Sequence, residues 1–169
     1  MGWIRRNRAG RLAVLVAGLA ALVPWNVTYT AGERATVLFV RFPFFEFQYT
    51  WGFGPGVDGP ALRSVLEAIA LQSGQGLEAA TLIWGGGAAV VLAALLAAGV
   101  AYGRDPPATD APHPIRRVGW LLAAAALLFA VSTGYIWTGG FGGVPIPVGV
   151  VLLAALAWVL VTADLTEPA

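Results

Sequence analysis

Four long apolar stretches constrain the fold of this chain more than any other feature. They run Leu12–Val27, Leu77–Tyr102, Val118–Trp137 and Val144–Val161, and Glu78 is the one charged residue within them. About 20 apolar residues match the roughly 30 Å hydrocarbon core of a bilayer. With 58% hydrophobic and 11% charged residues, residues 1–169 are predicted to form a single integral membrane domain, an all-α transmembrane four-helix bundle.

The arginines predict the orientation in the cell membrane. Seven lie before the first apolar stretch or between the second and third, and only three lie between the first and second; the seven are Arg5, Arg6, Arg8, Arg11, Arg104, Arg116 and Arg117. Because basic residues collect on the cytoplasmic side, both termini are predicted to be cytoplasmic. A cleaved signal peptide is the alternative for the first stretch, but its exit at Pro24–Ala31 has no small-x-small cleavage site.

The extracellular segment of this prediction, residues 28–76, has the pattern of a small antiparallel sheet. Ala35–Phe42 and Phe44–Trp51 are rich in β-branched and aromatic residues, and the second run alternates aromatic with polar side chains. This is the period of a half-buried strand. A short helix is expected next, capped by Asp58 or Gly59 and ended by Gly74.

Aromatic side chains are the candidates for partner binding in this segment. Six follow one another closely: Phe44, Phe45, Phe47, Tyr49, Trp51 and Phe53. One face of a short sheet cannot bury so many, so some are expected to meet the bundle, the membrane interface or another protein.

Small residues recur every four positions in the second and third apolar stretches. The two sets are Gly85, Ala89, Ala93 and Ala97, and Ala126, Ala130 and Gly134. Small residues at this spacing let helices approach closely in lipid. Packing between these two stretches is the simpler interpretation, and a homodimer face is the alternative.

Several classes of chemistry find little support in the residues. Cysteine is absent, and the one histidine, His113, sits between two prolines of a polar loop, so no metal or cofactor is expected. A net charge of +1 argues against nucleic acid. No acid, base and nucleophile constellation is visible, so the chain is not expected to be an enzyme.

Two functions therefore stay open. The leading hypothesis is a non-catalytic multi-pass membrane protein that acts as an accessory subunit, assembly or adhesion factor, with a membrane protein or a second copy as partner. The alternative is a small-solute or lipid-handling carrier. Its candidate residues are Ser132, Thr133 and Tyr135, the polar cluster inside an apolar stretch.

Two resemblances add expectations. Val23-Pro24-Trp25, Ile146-Pro147-Val148-Gly149 and Trp158, in a chain without lysine, resemble a small uncharacterised four-span membrane-protein family of haloarchaea, which implies a location in the cell membrane. Separately, Pro24-Trp25-Asn26-Val27 followed by Trp51-Gly52-Phe53 is similar to the first extracellular loop of claudins. That resemblance implies a claudin-like layout, with a small sheet and a short helix between spans 1 and 2.

Overall fold

The computed structural model describes residues 4–32, 35–103, 114–139, 142–163 and 165–166. Their elements, in chain order, are β1 (Ile4–Arg5), α1 (Arg6–Leu22), β2 (Asn26–Ala31), β3 (Thr36–Arg41), β4 (Phe45–Trp51), β5 (Gly59–Ser64), α2 (Val65–Gln72), α3 (Glu78–Gly103), α4 (Pro114–Thr138), β6 (Val144–Ile146), α5 (Val148–Val161) and β7 (Leu165–Thr166).

Four apolar helices, α1, α3, α4 and α5, pack side by side around the core. The most extensive contact is between α3 and α4. It depends on Gly87 of α3, where an added Cβ would lie 2.8 Å from Cδ1 of Phe129 on α4 and nearer still to Cε1. This glycine therefore lets a fully buried phenylalanine lie against the backbone of the neighbouring helix.

The five strands β2 to β6 form one antiparallel sheet with the order β5-β4-β3-β2-β6. Strand β2 leaves the end of α1 beside Trp25 and Asn26, which are both fully buried. It ends at the exposed Ala31. The sheet thus extends away from the helices, while β1 and β7 form a separate parallel pair that joins the two ends of the chain.

The predicted fold class is wrong. The described chain has five helices and a five-stranded antiparallel sheet, so it is not an all-α transmembrane four-helix bundle. By length and composition, two helices could cross a membrane, Glu78–Gly103 and Ile115–Thr138.

The first and fourth apolar stretches are divided between helix and strand. Helix α1 ends at Leu22, and the polar end of the predicted span begins β2. Likewise Val144–Ile146 pairs with β2 as β6, which leaves 14 residues for α5. An average of hydropathy along the chain cannot separate an apolar strand from an apolar helix, and this is why the prediction of four spans failed.

The short helix begins later than predicted. Residues Gly59–Ser64, expected to start it, form edge strand β5, and Ser64 caps α2. The Ser64 hydroxyl accepts a hydrogen bond from the Glu67 backbone N–H at 3.2 Å, and the Ser64 backbone N–H donates to Glu67 Oε2 at 2.7 Å. This reciprocal capping box fixes the start of the helix.

Candidate functional site

The two faces of the five-stranded sheet differ in polarity, and the polar face is turned inward. Side chains alternate between faces along a strand, and the register places Arg41, Glu46 and Arg63 on the face that meets the helices. The outward face of the five strands carries no charged residue. Antiparallel sheets with one solvated face usually show the opposite arrangement.

One row of cross-strand neighbours organises the inward face. Asn26, Arg41, Glu46 and Arg63 lie directly opposite one another on β2, β3, β4 and β5. Arg41 Nε donates to Glu46 Oε2 at 3.1 Å, and Arg63 Nη1 donates to Glu46 Oε1 at 3.4 Å. Both oxygens of the buried carboxylate are therefore paired with a cation.

The Arg41 guanidinium is held from the other side by uncharged groups. Its Nη1 donates to Asn26 Oδ1 at 3.1 Å and to Thr28 Oγ1 at 2.9 Å, and its Cζ lies 4.7 Å from the centre of the Phe39 ring. Burial lowers the pKa of Arg41 below its ordinary value, while the charge and hydrogen bond of Glu46 raise it. The partners on both sides offset part of the cost of taking this cation out of water.

Two tryptophans join the sheet hairpin to the helices below this row. Trp84 Nε1 donates to the carbonyl oxygens of Phe42 and Pro43 at 3.1 and 2.9 Å, and Trp25 Nε1 donates to Phe42 at 3.2 Å. The Trp25 ring stacks on Phe129 with a 5.0 Å separation of centres. The hydrogen bonds from these two tryptophans thus attach the turn between β3 and β4 to the helices.

A cavity of about 250 Å³ lies between the inward face of the sheet and helices α2, α3 and α4. Its polar lining comes from Arg41, Glu46, Gln48, Arg63, Gln72, Thr81 and Ser132, and its apolar lining includes Trp25, Trp84, Leu77 and Ile136. The deep walls are buried, whereas Arg63 and Gln72 are partly exposed at its edge. The cavity therefore joins an apolar interior to a cationic edge.

The outward face of the sheet carries an exposed aromatic cluster. Tyr29, Tyr49 and Trp51 are 49%, 42% and 38% exposed. The Trp51 ring centre lies 6.3 Å from that of Tyr29 and 5.6 Å from that of Tyr49. Phe53, in the turn after β4, is also exposed. We call Tyr29, Tyr49, Trp51 and Phe53 the outer aromatic cluster.

The six aromatic residues predicted to bind a partner divide into three groups. Tyr49, Trp51 and Phe53 belong to the outer aromatic cluster, and Phe45 and Phe47 lie half-buried on the same outward face. Phe44 instead packs against the hydrophobic core. The alternation of β4 correctly placed four aromatic side chains on one face, and the structure turns that face away from the helices.

The small residues predicted to pack helices lie mostly outside the contact. Ala89, Ala93, Ala130 and Gly134 are exposed, Gly85 and Ala97 are half-buried, and Ala126 is buried. Helix α3 instead buries a neighbouring stripe that includes Gly87, Val91, Ala94 and Ala98.

The three polar residues considered for a carrier are separated by the structure. Ser132 lines the cavity and donates to the Ala80 carbonyl oxygen at 2.8 Å. Thr133 donates to the Phe129 carbonyl at 2.9 Å, whereas Tyr135 lies half-exposed on the outer surface of α4. His113 lies outside the described residues. The described part of the chain has no group of three or more His, Cys, Asp or Glu residues arranged to hold a metal ion.

Comparison with protein families identifies the family of this chain. A family model described as "Family of unknown function (DUF7549)" matches residues 2–165. The chain belongs to this family. No curated protein matches it. Membership in DUF7549 agrees with the prediction of an uncharacterised family, and it gives no support to a haloarchaeal source or to the claudin resemblance.

The buried charged row is the part of this DUF7549 protein that sequence reasoning missed. Arg41 and Glu46 are separated by four residues that contain Pro43, a spacing that a tight hairpin brings into register. Glu67, the next acidic residue after Glu46 and Asp58, is not part of this row and caps α2. The spacing of Arg41 and Glu46 on either side of a predicted turn was the signal in the sequence that could have revealed this ion pair.

Proposed function

We propose that this DUF7549 protein is a multi-pass membrane protein whose α3 and α4 cross the bilayer. At 1.5 Å per residue, helices of 26 and 25 residues are about 38 Å long, enough for a hydrocarbon core of roughly 30 Å. Only 33% and 44% of their most apolar windows are buried. Their outward faces carry exposed leucines, such as Leu92, Leu96 and Leu127, which suits lipid better than water.

The proposed orientation places the connection between α3 and α4 in the cytoplasm. Arg104 follows α3, and Arg116 and Arg117 begin α4, as the positive-inside rule favours. Gly10 of α1 lies against Ala101 near the same end of α3, and Ile4 pairs with Leu165. Both termini are therefore proposed to be cytoplasmic, with the sheet on the opposite side. In this arrangement the shorter helices α1 and α5, which pack against α3 and α4, pass through the bilayer beside them.

The absence of cysteine makes this orientation directly testable. A Ser73→Cys variant places a thiol in the exposed turn after α2, and a matched variant carries one cysteine added after Ala169. A membrane-impermeant maleimide applied to intact cells should label the first variant, and the second only after lysis. The reverse pattern, or equal labelling without lysis, would overturn the orientation.

We further propose that the protein acts without catalysis, as an accessory, assembly or adhesion factor that binds another membrane protein. The observation that carries this proposal is the outward face of the sheet, which is apolar, uncharged and exposed. It presents Tyr29, Tyr49 and Trp51 together with Leu62, which is 68% exposed. Tyrosine and tryptophan dominate binding energy at protein interfaces, where charged residues are depleted.

The position of the outer aromatic cluster favours a protein partner over lipid. Trp51 lies five residues along β4 from Glu46, or about 17 Å at 3.4 Å per residue. Glu46 is already at the end of the sheet that meets the helices. With α3 and α4 in the bilayer, the cluster stands beyond the apolar helices, where a neighbouring protein can reach it.

Photo-crosslinking tests this proposal. A benzophenone side chain at position 49 should join the protein in its native membrane to one defined partner, and the same group at the exposed position 75 should not. Introducing a charge with Trp51→Glu should dissociate the purified complex, whereas Gln75→Glu should leave it intact. Adducts to lipid alone, or no position-dependent adduct, would overturn the proposal; adducts to a second copy would identify a homo-oligomer as the bound form.

A small-solute or lipid-handling carrier stays the second candidate, because Ser132 lines the cavity between the helices and the sheet. Tyr135 does not line that cavity, so a carrier path would depend on Ser132 and the charged row. Uptake of a labelled solute or lipid by vesicles containing the protein would support this function over the first.

A further inference from the structure

We propose that the cavity beneath the sheet binds a small amphipathic carboxylate, with its head at Arg63 and its apolar tail against Trp84 and Ile136. This inference is independent of partner binding by the outward face, because the two sites lie on opposite faces of the sheet.

The hydrogen bonds of Arg63 show why an anion would be bound at this edge. Within the described chain, both of its side-chain bonds leave from Nη1, to Glu46 Oε1 and to Gln48 Oε1. Its side chain is 32% exposed and lines the cavity. Nε and Nη2 remain as donors in the planar arrangement that binds a carboxylate with two parallel hydrogen bonds.

The balance of charge supports the same ligand. Arg41 and Glu46 form a buried pair with side chains 7% exposed, so they compensate each other. Arg63 then leaves the cavity lining with a net positive charge of one. A neutral ligand would not use this charge, and a cation would meet it unfavourably.

The walls and the volume limit the rest of the ligand. Trp84, Ile136, Leu77 and Ala80 provide an apolar surface below the charged row. A cavity of about 250 Å³ is many times the roughly 10–15 Å³ that a single water needs by this measure. A carboxylate with a short alkyl chain fits, and so does the head and first part of a fatty acid whose chain continues toward lipid.

Octanoate is the probe for the first test, with octanol as its uncharged analogue. The protein is placed in nanodiscs of phosphatidylcholine, and binding is measured by calorimetry. Octanoate should bind saturably, and octanol at least tenfold more weakly. Arg63→Gln should weaken octanoate binding at least tenfold, Arg63→Lys should weaken it less, and Arg117→Gln on the exposed side of α4 should leave it unchanged.

Brominated oleic acid in otherwise identical nanodiscs distinguishes a lipid source from a soluble one. Its quenching of tryptophan fluorescence should fall in Arg63→Gln if the carboxylate arrives from the bilayer, and octanoate should compete with it. Saturable binding of either carboxylate that depends on Arg63 supports the site. Equal binding of octanol and octanoate, or binding unchanged in Arg63→Gln and Arg63→Lys, would overturn it.

Discussion

Arg41 and Glu46 form an ion pair at 3.1 Å across the hairpin of β3 and β4, with both side chains nearly removed from solvent. Neither residue lies in a helix, yet both line the cavity where the sheet meets the helices. In the described part of the chain, these two residues are the buried charged side chains. The register of the hairpin therefore places both of them in the wall of the cavity.

Glu46→Gln should strongly destabilise the protein. The substitution keeps the shape of the side chain but leaves Arg41 buried without its counter-charge, and breaking such a pair typically costs about 3–5 kcal/mol. Thermal unfolding in mild detergent, followed by circular dichroism, measures the loss. Arg63→Gln removes the more exposed partner and should cost much less; equal losses in the two variants would contradict this account of the row.

Gly87→Ala should destabilise the contact between α3 and α4. The new methyl group would overlap the ring of Phe129, which is fully buried and stacked on Trp25. Overpacking of this kind typically costs about 1–3 kcal/mol. Gly86→Ala is the matched control because nothing lies within 4 Å of its added Cβ, and its unfolding temperature should be unchanged or slightly higher.

The capping box of α2 should make this helix sensitive to acid. Hydrogen bonds from the backbone and hydroxyl of Ser64 lower the pKa of Glu67 below its ordinary value. A carboxylate with a lowered folded-state pKa contributes stability above its unfolded pKa of about 4.3, and that stability is lost as pH falls through the folded value. The protection factors of the α2 amides, which correct hydrogen exchange for its intrinsic dependence on pH, should therefore fall as the pH is lowered from 6 to 3.

Glu67→Gln provides the control for this pH dependence. The variant should remove the acid-dependent part of α2 opening, because the group that titrates is gone. Ser64→Ala should lower the protection of the α2 amides at every pH, because loss of the cap destabilises the helix by about 1 kcal/mol. An unchanged acid response in Glu67→Gln would show that another group controls it.

The sequence predicted the periodicity of the sheet better than its orientation. The alternation within Phe44–Trp51 indicated a strand, and β4 (Phe45–Trp51) begins one residue later. A period of two says only that the faces differ. A polar face can turn inward only if its polar groups find hydrogen-bond partners there. Arg41 and Arg63 both donate hydrogen bonds to Glu46, and the three residues lie on three different strands.

Two of the strands that were missed, β2 and β5, carry mixed signals. Strand β2 (Asn26–Ala31) directly follows the apolar residues of α1. Its first two residues were therefore included in the first apolar stretch, Leu12–Val27. In β5, Pro60 directly follows Gly59, one of the two residues expected to cap the short helix, and proline is common in the first turn of a helix. Proline is also tolerated in an edge strand, and β5 is at the edge of the sheet. The cavity could not be predicted, since it is formed by residues from α2, α3, α4 and three strands.

Thr133→Val should loosen the attachment of β2 to the helices. Asn26 Nδ2 donates to Thr133 Oγ1 at 3.4 Å, and the same Asn26 accepts hydrogen bonds from Arg41 and Thr28 through Oδ1. Valine keeps the shape of threonine but removes the acceptor, so a buried amide loses its partner at a cost of about 1–3 kcal/mol. Faster hydrogen exchange at the amides of β2 and β3 should report this loss.

Thr138→Val is the matched control for that experiment. Both threonine hydroxyls bond back to the carbonyl four residues earlier, Thr133 to Phe129 at 2.9 Å and Thr138 to Gly134 at 3.0 Å. Only Thr133 also receives a hydrogen bond from the sheet, so only its substitution should change exchange in β2 and β3. If both variants behave alike, the effect lies in α4 itself, and the hydrogen bond from Asn26 contributes nothing measurable to holding the sheet on the helices.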